Sequence, residues 1–152
     1  MKNNGDDIGY RNNIKKFTIH TDGGSRGNPG PAAAAFIVQE KNDVIFEQSV
    51  YLGKTTNNIA EYTGVLLALE WFCKSYLQPS TSTKLEFILD SELVVKQING
   101  IYKVKDLNLR KIYFKIKEII NKNNIKVIFI NVPREKNTDA DFLVNKELDN
   151  NL

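Results

Sequence analysis

Hydrophobic and polar positions alternate or recur in short blocks along the chain, and the blocks predict nine elements. Phe17 to Thr21 alternates apolar and polar residues, the period of a half-buried strand, and this strand is expected to end at Asp22. Gly23 to Pro31 is crowded with Gly, Pro, Ser and Asn and reads as a turn-rich loop. Ala32 to Gln39 and Val44 to Leu52 read as two further strands joined by the polar turn Glu40 to Asp43, which makes a hairpin. The run Thr55-Thr56-Asn57-Asn58 offers side-chain caps for a long helix reaching about Tyr76. Leu77 to Thr83 carries Pro79 and reads as a loop before a fourth strand, Lys84 to Leu89, which ends at Asp90. A short helix, Ser91 to Ile98, stops at Asn99-Gly100, and a second covers Leu107 to Asn121. Ile125 to Val132 is a β-branched strand, Pro133 to Thr138 a loop, and a last helix starts near Asp139. The order β, β, β, α, β, α, α, β, α has no repeat and no internal linker. An antiparallel hairpin followed by strand–helix–strand crossovers predicts an α/β fold, a mixed five-stranded sheet flanked by helices. The expected organisation is a polar N-terminal tail over 1–14 and one domain over 15–152.

Composition narrows the chemistry more than the fold. The chain has 152 residues, 41% hydrophobic and 26% charged, as in an ordinary globular domain. No apolar run approaches the roughly 18 residues that span a membrane, and the N-terminus lacks the apolar stretch of a signal peptide, so a cytoplasmic protein with no membrane partner is expected. There is one cysteine, Cys73, in an apolar helical stretch that suits core packing, and one histidine, His20, inside a strand. A zinc site built from His and Cys is therefore excluded. Any bound metal must be held by oxygen, which favours a hard cation such as Mg²⁺ or Mn²⁺.

Net charge is +3 and unevenly spread. Tyr102 to Lys126 holds eight Lys or Arg against two acids, interleaved with Tyr102, Tyr113 and Phe114. Such a stretch reads first as a solvated helix face, with a footprint for a phosphate backbone as the alternative.

The acids can now be set on these elements. Asp22 and Asp90 each end a strand; if the two strands are parallel neighbours, both carboxylates emerge at one edge of the sheet, where ligand sites form in open α/β folds. Glu61 shares a helical stripe with Val65, Ala68 and Phe72, and Asp141 one with Val144 and Leu148, so both aim inward from helix starts. Taken singly, each acid is explained by a cap or an ion pair. Four acids converging on one edge repel one another unless divalent cations relieve them. Two-metal phosphodiester hydrolysis needs such a cluster: one ion activates the attacking water and the other stabilises the leaving oxygen, about 4 Å apart.

Four local motifs occur in order: Thr21-Asp22-Gly23-Gly24-Ser25-Arg26-Gly27-Asn28-Pro29-Gly30-Pro31, Thr56-Asn57-Asn58-Ile59-Ala60-Glu61-Tyr62, Asp90-Ser91-Glu92-Leu93-Val94, and Val132-Pro133-Arg134-Glu135-Lys136-Asn137-Thr138-Asp139-Ala140-Asp141. Together they resemble the type 1 ribonucleases H over about residues 16–149, and Asn99 to Lys105 resembles a segment of archaeal and some bacterial members. The resemblance implies the ribonuclease H-like fold and hydrolysis of the RNA strand of an RNA–DNA hybrid, leaving 3′-hydroxyl and 5′-phosphate ends. It implies that Asp22, Glu61, Asp90 and Asp141 are the catalytic acids and hold two Mg²⁺ ions, with Mn²⁺ as substitute. Asn28 and Asn57 match positions that contact the minor groove of the hybrid, with Asn58 beside them, and Thr56 matches one that holds a DNA-strand phosphate. Gly23 and Gly24 lie where the backbone approaches the substrate, and the loop lacks the Gly-Lys-Ser/Thr ending of a nucleotide-binding loop.

Two departures stand out. Many members carry a histidine in the loop before the last helix, serving product release or proton transfer; Pro133 to Asn137 has none, and Arg134 stands there instead, as in some archaeal members. Arg134 is expected to contact a phosphate near the cut or to stabilise charge there. The extra basic helix and loop by which some members grip the hybrid is also missing, since the segment after Gly100 is too short; the basic stretch from Tyr102 is the candidate substitute. A non-catalytic binding module on this fold has no use for four clustered acids near phosphates, and the Thr-Asn-Asn-x-Ala-Glu motif disfavours a DNA transposase or resolvase relative. Double-stranded RNA is a second candidate substrate, and a monomer is expected.

Overall fold

The computed structural model describes residues 14–77 and 82–152. Its elements are β1 (Ile14–Ser25), β2 (Gly30–Glu40), β3 (Asp43–Thr55), α1 (Asn57–Ser75), β4 (Ser82–Leu89), α2 (Glu92–Ile98), α3 (Leu107–Asn123), β5 (Lys126–Asn131), a 3₁₀ turn (Arg134–Lys136) and α4 (Thr138–Asn150). The five strands form one sheet in the order β3-β2-β1-β4-β5. β1 pairs antiparallel with β2, and β2 with β3; β1 pairs parallel with β4, and β4 with β5. The mixed sheet and the parallel β1–β4 pair are those the hydrophobic pattern predicts.

The helices start where polar side chains can satisfy free backbone amides. Thr56 Oγ1 accepts from the Ile59 amide at 3.2 Å, Ser91 Oγ from Val94 at 3.3 Å, and Asp106 Oδ1 from both Asn108 and Leu109 at 2.9 Å. The β2–β3 hairpin turns on Lys41 and Asn42, both with positive φ (51° and 70°), the backbone that matches the twist of a tight hairpin. One sheet face carries the main core, in which Phe17, Ile19, Phe36, Leu85 and Phe87 pack against Tyr62, Val65, Leu69 and Phe72 of α1, with α2 and α3 contributing Val94, Ile98, Leu109 and Ile116. The other face is thinner: α4 sets Val144 and Leu148 on Ala33 and Ala35.

Three expectations are corrected. Gly23-Gly24-Ser25 is not loop but the end of β1, paired with Ala34, Ala33 and Ala32, so Asp22 lies inside the strand. Gly23 reads as punctuation, yet here it thins the strand so that α1 can lie on it: a methyl on Gly23 would overlap the Ala60 carbonyl and the Glu61 amide of α1. Only Arg26 to Pro29 bends away from the strands. Ser82 and Thr83 belong to β4, paired with Ile14 and Lys15; Leu77 lies outside the helices and strands, and the remainder of the predicted loop, 78–81, lies outside the described residues. Ile14, assigned to the tail, is likewise strand, and 1–13 lie outside the described residues. Among the described residues no helix is long and apolar enough to cross a membrane.

Candidate active site

The parallel register sets His20 beside Ile88, so the chains of β1 and β4 run on level with each other to Asp22 and Asp90 at one sheet edge. Glu61 comes to the same edge from the start of α1, because two glycines let helix and strand touch. Gly23 abuts the Ala60–Glu61 peptide, and a methyl on Gly64 would stand 2.9 Å from the Asp22 carbonyl. Asp141 arrives from the first turn of α4 on the opposite sheet face. Asp22 and Glu61 are buried, at 5% and 6% exposure, while Asp90 and Asp141 are half-buried.

The cluster is electrostatically unfavourable as it stands. Asp22, Glu61 and Asp90 each offer a carboxylate oxygen, and these three atoms lie within 4.8 Å of one another. Burial pushes the Asp22 carboxyl up to about 7; the charges of Asp90 and Asp141 add to this, and a hydrogen bond from the Gly23 amide opposes it. Burial, followed by Asp22 and Asp90, drives Glu61 well above the usual carboxylate range, with Arg134 the opposing charge. Arg134 offers little screening: its Nε is 3.9 Å from Asp90 Oδ2, and its side chain is 81% exposed. Glu61 Oε2 and Asp90 Oδ1 are buried without a hydrogen-bond partner. Buried, unpartnered oxygens in a concentrated negative charge are what a hard divalent cation requires, so this triad can hold one.

Eight of the sequence-predicted residues line a cleft of about 170 Å³, namely Asp22, Gly23, Gly24, Glu61, Asp90, Asp141, Arg134 and Asn57, whereas Asn28, Thr56 and Asn58 do not. Asn28 is joined to the lining residue Asn57: Asn28 Oδ1 accepts from the Asn57 amide at 3.0 Å, and Asn57 Oδ1 accepts from the Ser25 amide at 3.3 Å. These bonds tie the bend after β1 to the start of α1. Thr56 caps that helix, and Asn58 is half-buried in its first turn. His20 is a half-buried strand residue, its Nδ1 3.0 Å from Asn137 Oδ1. Sequence reasoning passed over Asn137, which is 1% exposed, and Arg26, which lines the cleft and pairs with Asp149 at 2.7 Å. An Asn at the boundary of the last helix was a visible signal for the former, but it reads as an ordinary cap.

A family model described as "Reverse transcriptase-like" matches residues 20–147. The bifunctional protein Rv2228c of Mycobacterium tuberculosis is 37% identical over 136 residues, 88% of this chain, and the ribonuclease HI of Halobacterium salinarum 36% over 84% of it. The chain spans 36% of the length of the first and 62% of that of the second. Among solved structures, LC11-RNase H1 in complex with an RNA/DNA hybrid superposes with a TM-score of 0.81 at 39% identity, covering 88% of this chain and 97% of that one. The RNase H1 of Halobacterium salinarum superposes with a TM-score of 0.80 at 32% identity, covering 89% and 98%. With the four motifs, the sheet order and the acidic edge already in place, the chain belongs to the type 1 ribonuclease H family.

Proposed function

We propose that this protein hydrolyses the RNA strand of RNA–DNA hybrids at the acidic cleft, using two divalent cations, Mg²⁺ with Mn²⁺ as substitute, and leaving 3′-hydroxyl and 5′-phosphate ends. The observation that carries the reading is the acidic triad of buried Asp22 and Glu61 with half-buried Asp90, and Asp141 against it, in a chain 39% identical to an RNase H1 solved with such a hybrid. Asp22, Glu61, Asp90 and Asp141 would hold the divalent cations, which would supply charge neutralisation, a more acidic water and stabilisation of the leaving oxygen. The four carboxylates orient them, and the burial of Asp22 and Glu61 keeps bulk water from competing. Asn28, Asn57 and Asn58 contact the minor groove, where the 2′-hydroxyl distinguishes RNA from DNA. Thr56 holds a DNA-strand phosphate, and the Gly23-Gly24 backbone lets the substrate approach closely. The protein acts as a cytoplasmic monomer in this reading, with double-stranded RNA a second candidate substrate.

Arg134 stands at the mouth of the cleft, its guanidinium exposed and free to turn from Asp90 to a phosphate. Arg134→Ala is expected to lower kcat roughly 10- to 100-fold with melting temperature unchanged; an unchanged turnover rate would remove Arg134 from the reaction.

A second cleft, of about 590 Å³, lies between the α2–α3 connection and α3, lined by Tyr102, Lys103, Lys105, Arg110, Tyr113 and Phe114. The connection is held in place by Gln97, whose Oε1 accepts from the Tyr62 hydroxyl at 2.7 Å and whose Nε2 donates to the Lys103 carbonyl at 3.3 Å. Cations between aromatic rings suit phosphates and stacked bases, so this surface takes the flanking part of the hybrid. Replacing Lys103, Lys105 and Arg110 with Ala should raise KM for hybrid, leave kcat nearly unchanged, and reduce the salt dependence of binding by roughly 0.7 to 0.9 per lost phosphate contact. An unaltered salt slope would exclude the surface.

The function itself is tested with strand-labelled hybrid, double-stranded RNA and double-stranded DNA, each with Mg²⁺, Mn²⁺ or EDTA. The expected result is cleavage of the RNA strand of the hybrid that EDTA abolishes. Intact hybrid with both metals would overturn the reading.

A further inference from the structure

Asn137 occupies the N-cap position of α4 but makes no capping hydrogen bond with its side chain. Asn at this position ordinarily turns its side-chain oxygen onto the helix amides, a contact worth about 1 kcal/mol. Here the side chain is directed across to β1. Its Nδ2 donates to the Thr21 carbonyl at 2.9 Å, and its Oδ1 lies 3.0 Å from Nδ1 of His20. The bond to Thr21 sets the amide orientation, so Oδ1 faces the ring and His20 Nδ1 must be the donor. Both amide atoms are thus engaged in a side chain that is 1% exposed. The Asn137 carbonyl also accepts from the amide of Asp141 at 3.2 Å.

The two ends of this linkage bear on the acidic cluster. His20 and Thr21 immediately precede Asp22, and the other end is the backbone of Asp141. We infer that Asn137, held by His20, is a positioning residue that sets the spacing of Asp141 from Asp22 and so the affinity of the acidic cleft for divalent cations. The inference rests on the reading of the four acids as a cation site. It assigns His20 a task in the reaction although its ring lies on the strand and does not line the cleft. Groups that orient metal-binding side chains from behind typically change metal affinity or activity by 10- to 100-fold when removed.

The test compares His20→Phe, His20→Gln, Asn137→Ala and wild type. Free Mn²⁺ is measured by electron paramagnetic resonance in the absence of nucleic acid, and hybrid cleavage is measured across a Mg²⁺ titration. His20→Phe removes the donor while keeping a ring of similar size. It should weaken Mn²⁺ binding about tenfold, raise the Mg²⁺ needed for half-maximal rate by a similar factor, and leave KM for hybrid within about twofold. His20→Gln, whose Nε2 can donate to Asn137 Oδ1, should recover most of the loss. Asn137→Ala should exceed His20→Phe in both measurements; if it does not fold, the two His20 variants decide. Variants that lose melting temperature but keep wild-type Mn²⁺ affinity and Mg²⁺ dependence would make the linkage merely structural and overturn the inference. Wild-type protein that binds no Mn²⁺ would instead sink the cation site, and the inference with it.

Discussion

Asp22→Asn is expected to abolish hybrid cleavage and, in EDTA at pH 8, to make the protein more stable than wild type. The two effects have one cause. In the folded chain the Asp22 carboxyl titrates at about 7, against an ordinary 3.8, because it is buried beside Asp90 and Asp141. The folded state therefore holds a proton that the unfolded chain releases. Stability contributed by that proton is fully present below about pH 4 and is lost as pH rises to about 7. At about 1.4 kcal/mol per pKa unit, the loss is on the order of 4 kcal/mol by pH 8. Asn needs no proton and avoids this penalty. Wild-type melting temperature in EDTA should fall between pH 5 and pH 8, and that of Asp22→Asn should fall less, with Glu61 keeping some dependence in both. Mg²⁺ should restore the wild type at pH 8 and do little for the variant. Cleavage should drop on the order of a thousandfold, since the cations lose an anionic partner where charge develops. A variant that cuts normally would place the site elsewhere.

Gly23→Ala should destabilise the fold and inactivate the protein, whereas Gly24→Ala should do neither to a comparable degree. A methyl on Gly23 would overlap backbone atoms of Ala60 and Glu61, so α1 would have to move off β1. Overpacking ordinarily costs about 1 to 3 kcal/mol. Backbone against backbone has no rotamer to relax into, so roughly 3 kcal/mol or more is expected, about 6 to 12 °C in melting temperature for a chain of this size. The movement also carries Glu61 from its partners. A methyl on Gly24 would meet Asn57 Oδ1 and Val144 Cγ1 at 3.7 Å, an ordinary contact. Thermal melts and Mg²⁺-dependent cleavage of both variants check this. Equal stability of the two would show that the β1–α1 contact is looser than described.

The same glycines mark the limit of what the sequence conveys. Strand alternation, helix stripes and caps such as Thr56 and Ser91 are local signals, and the elements they predict form with ends shifted by a few residues. Gly23 misleads because composition cannot distinguish a glycine that permits a turn from one that permits close packing. Inward-facing Glu61 and Asp141 were legible from their apolar neighbours at helical spacing, and the convergence of Asp22 with Asp90 followed once β1 and β4 were parallel. Asn137 was not legible, because the partner that diverts it from capping lies more than a hundred residues away. Nor could spacing show that Glu61 Oε2 and Asp90 Oδ1 would be buried without partners.

The claim that the four carboxylates form a divalent cation site is tested most directly by anomalous diffraction from crystals of the wild-type protein soaked in Mn²⁺. A Mn²⁺ peak is expected at the sheet edge, in contact with the carboxylates of Asp22, Glu61 and Asp90. Absence of that peak at a Mn²⁺ concentration that supports full hybrid cleavage would contradict the claim.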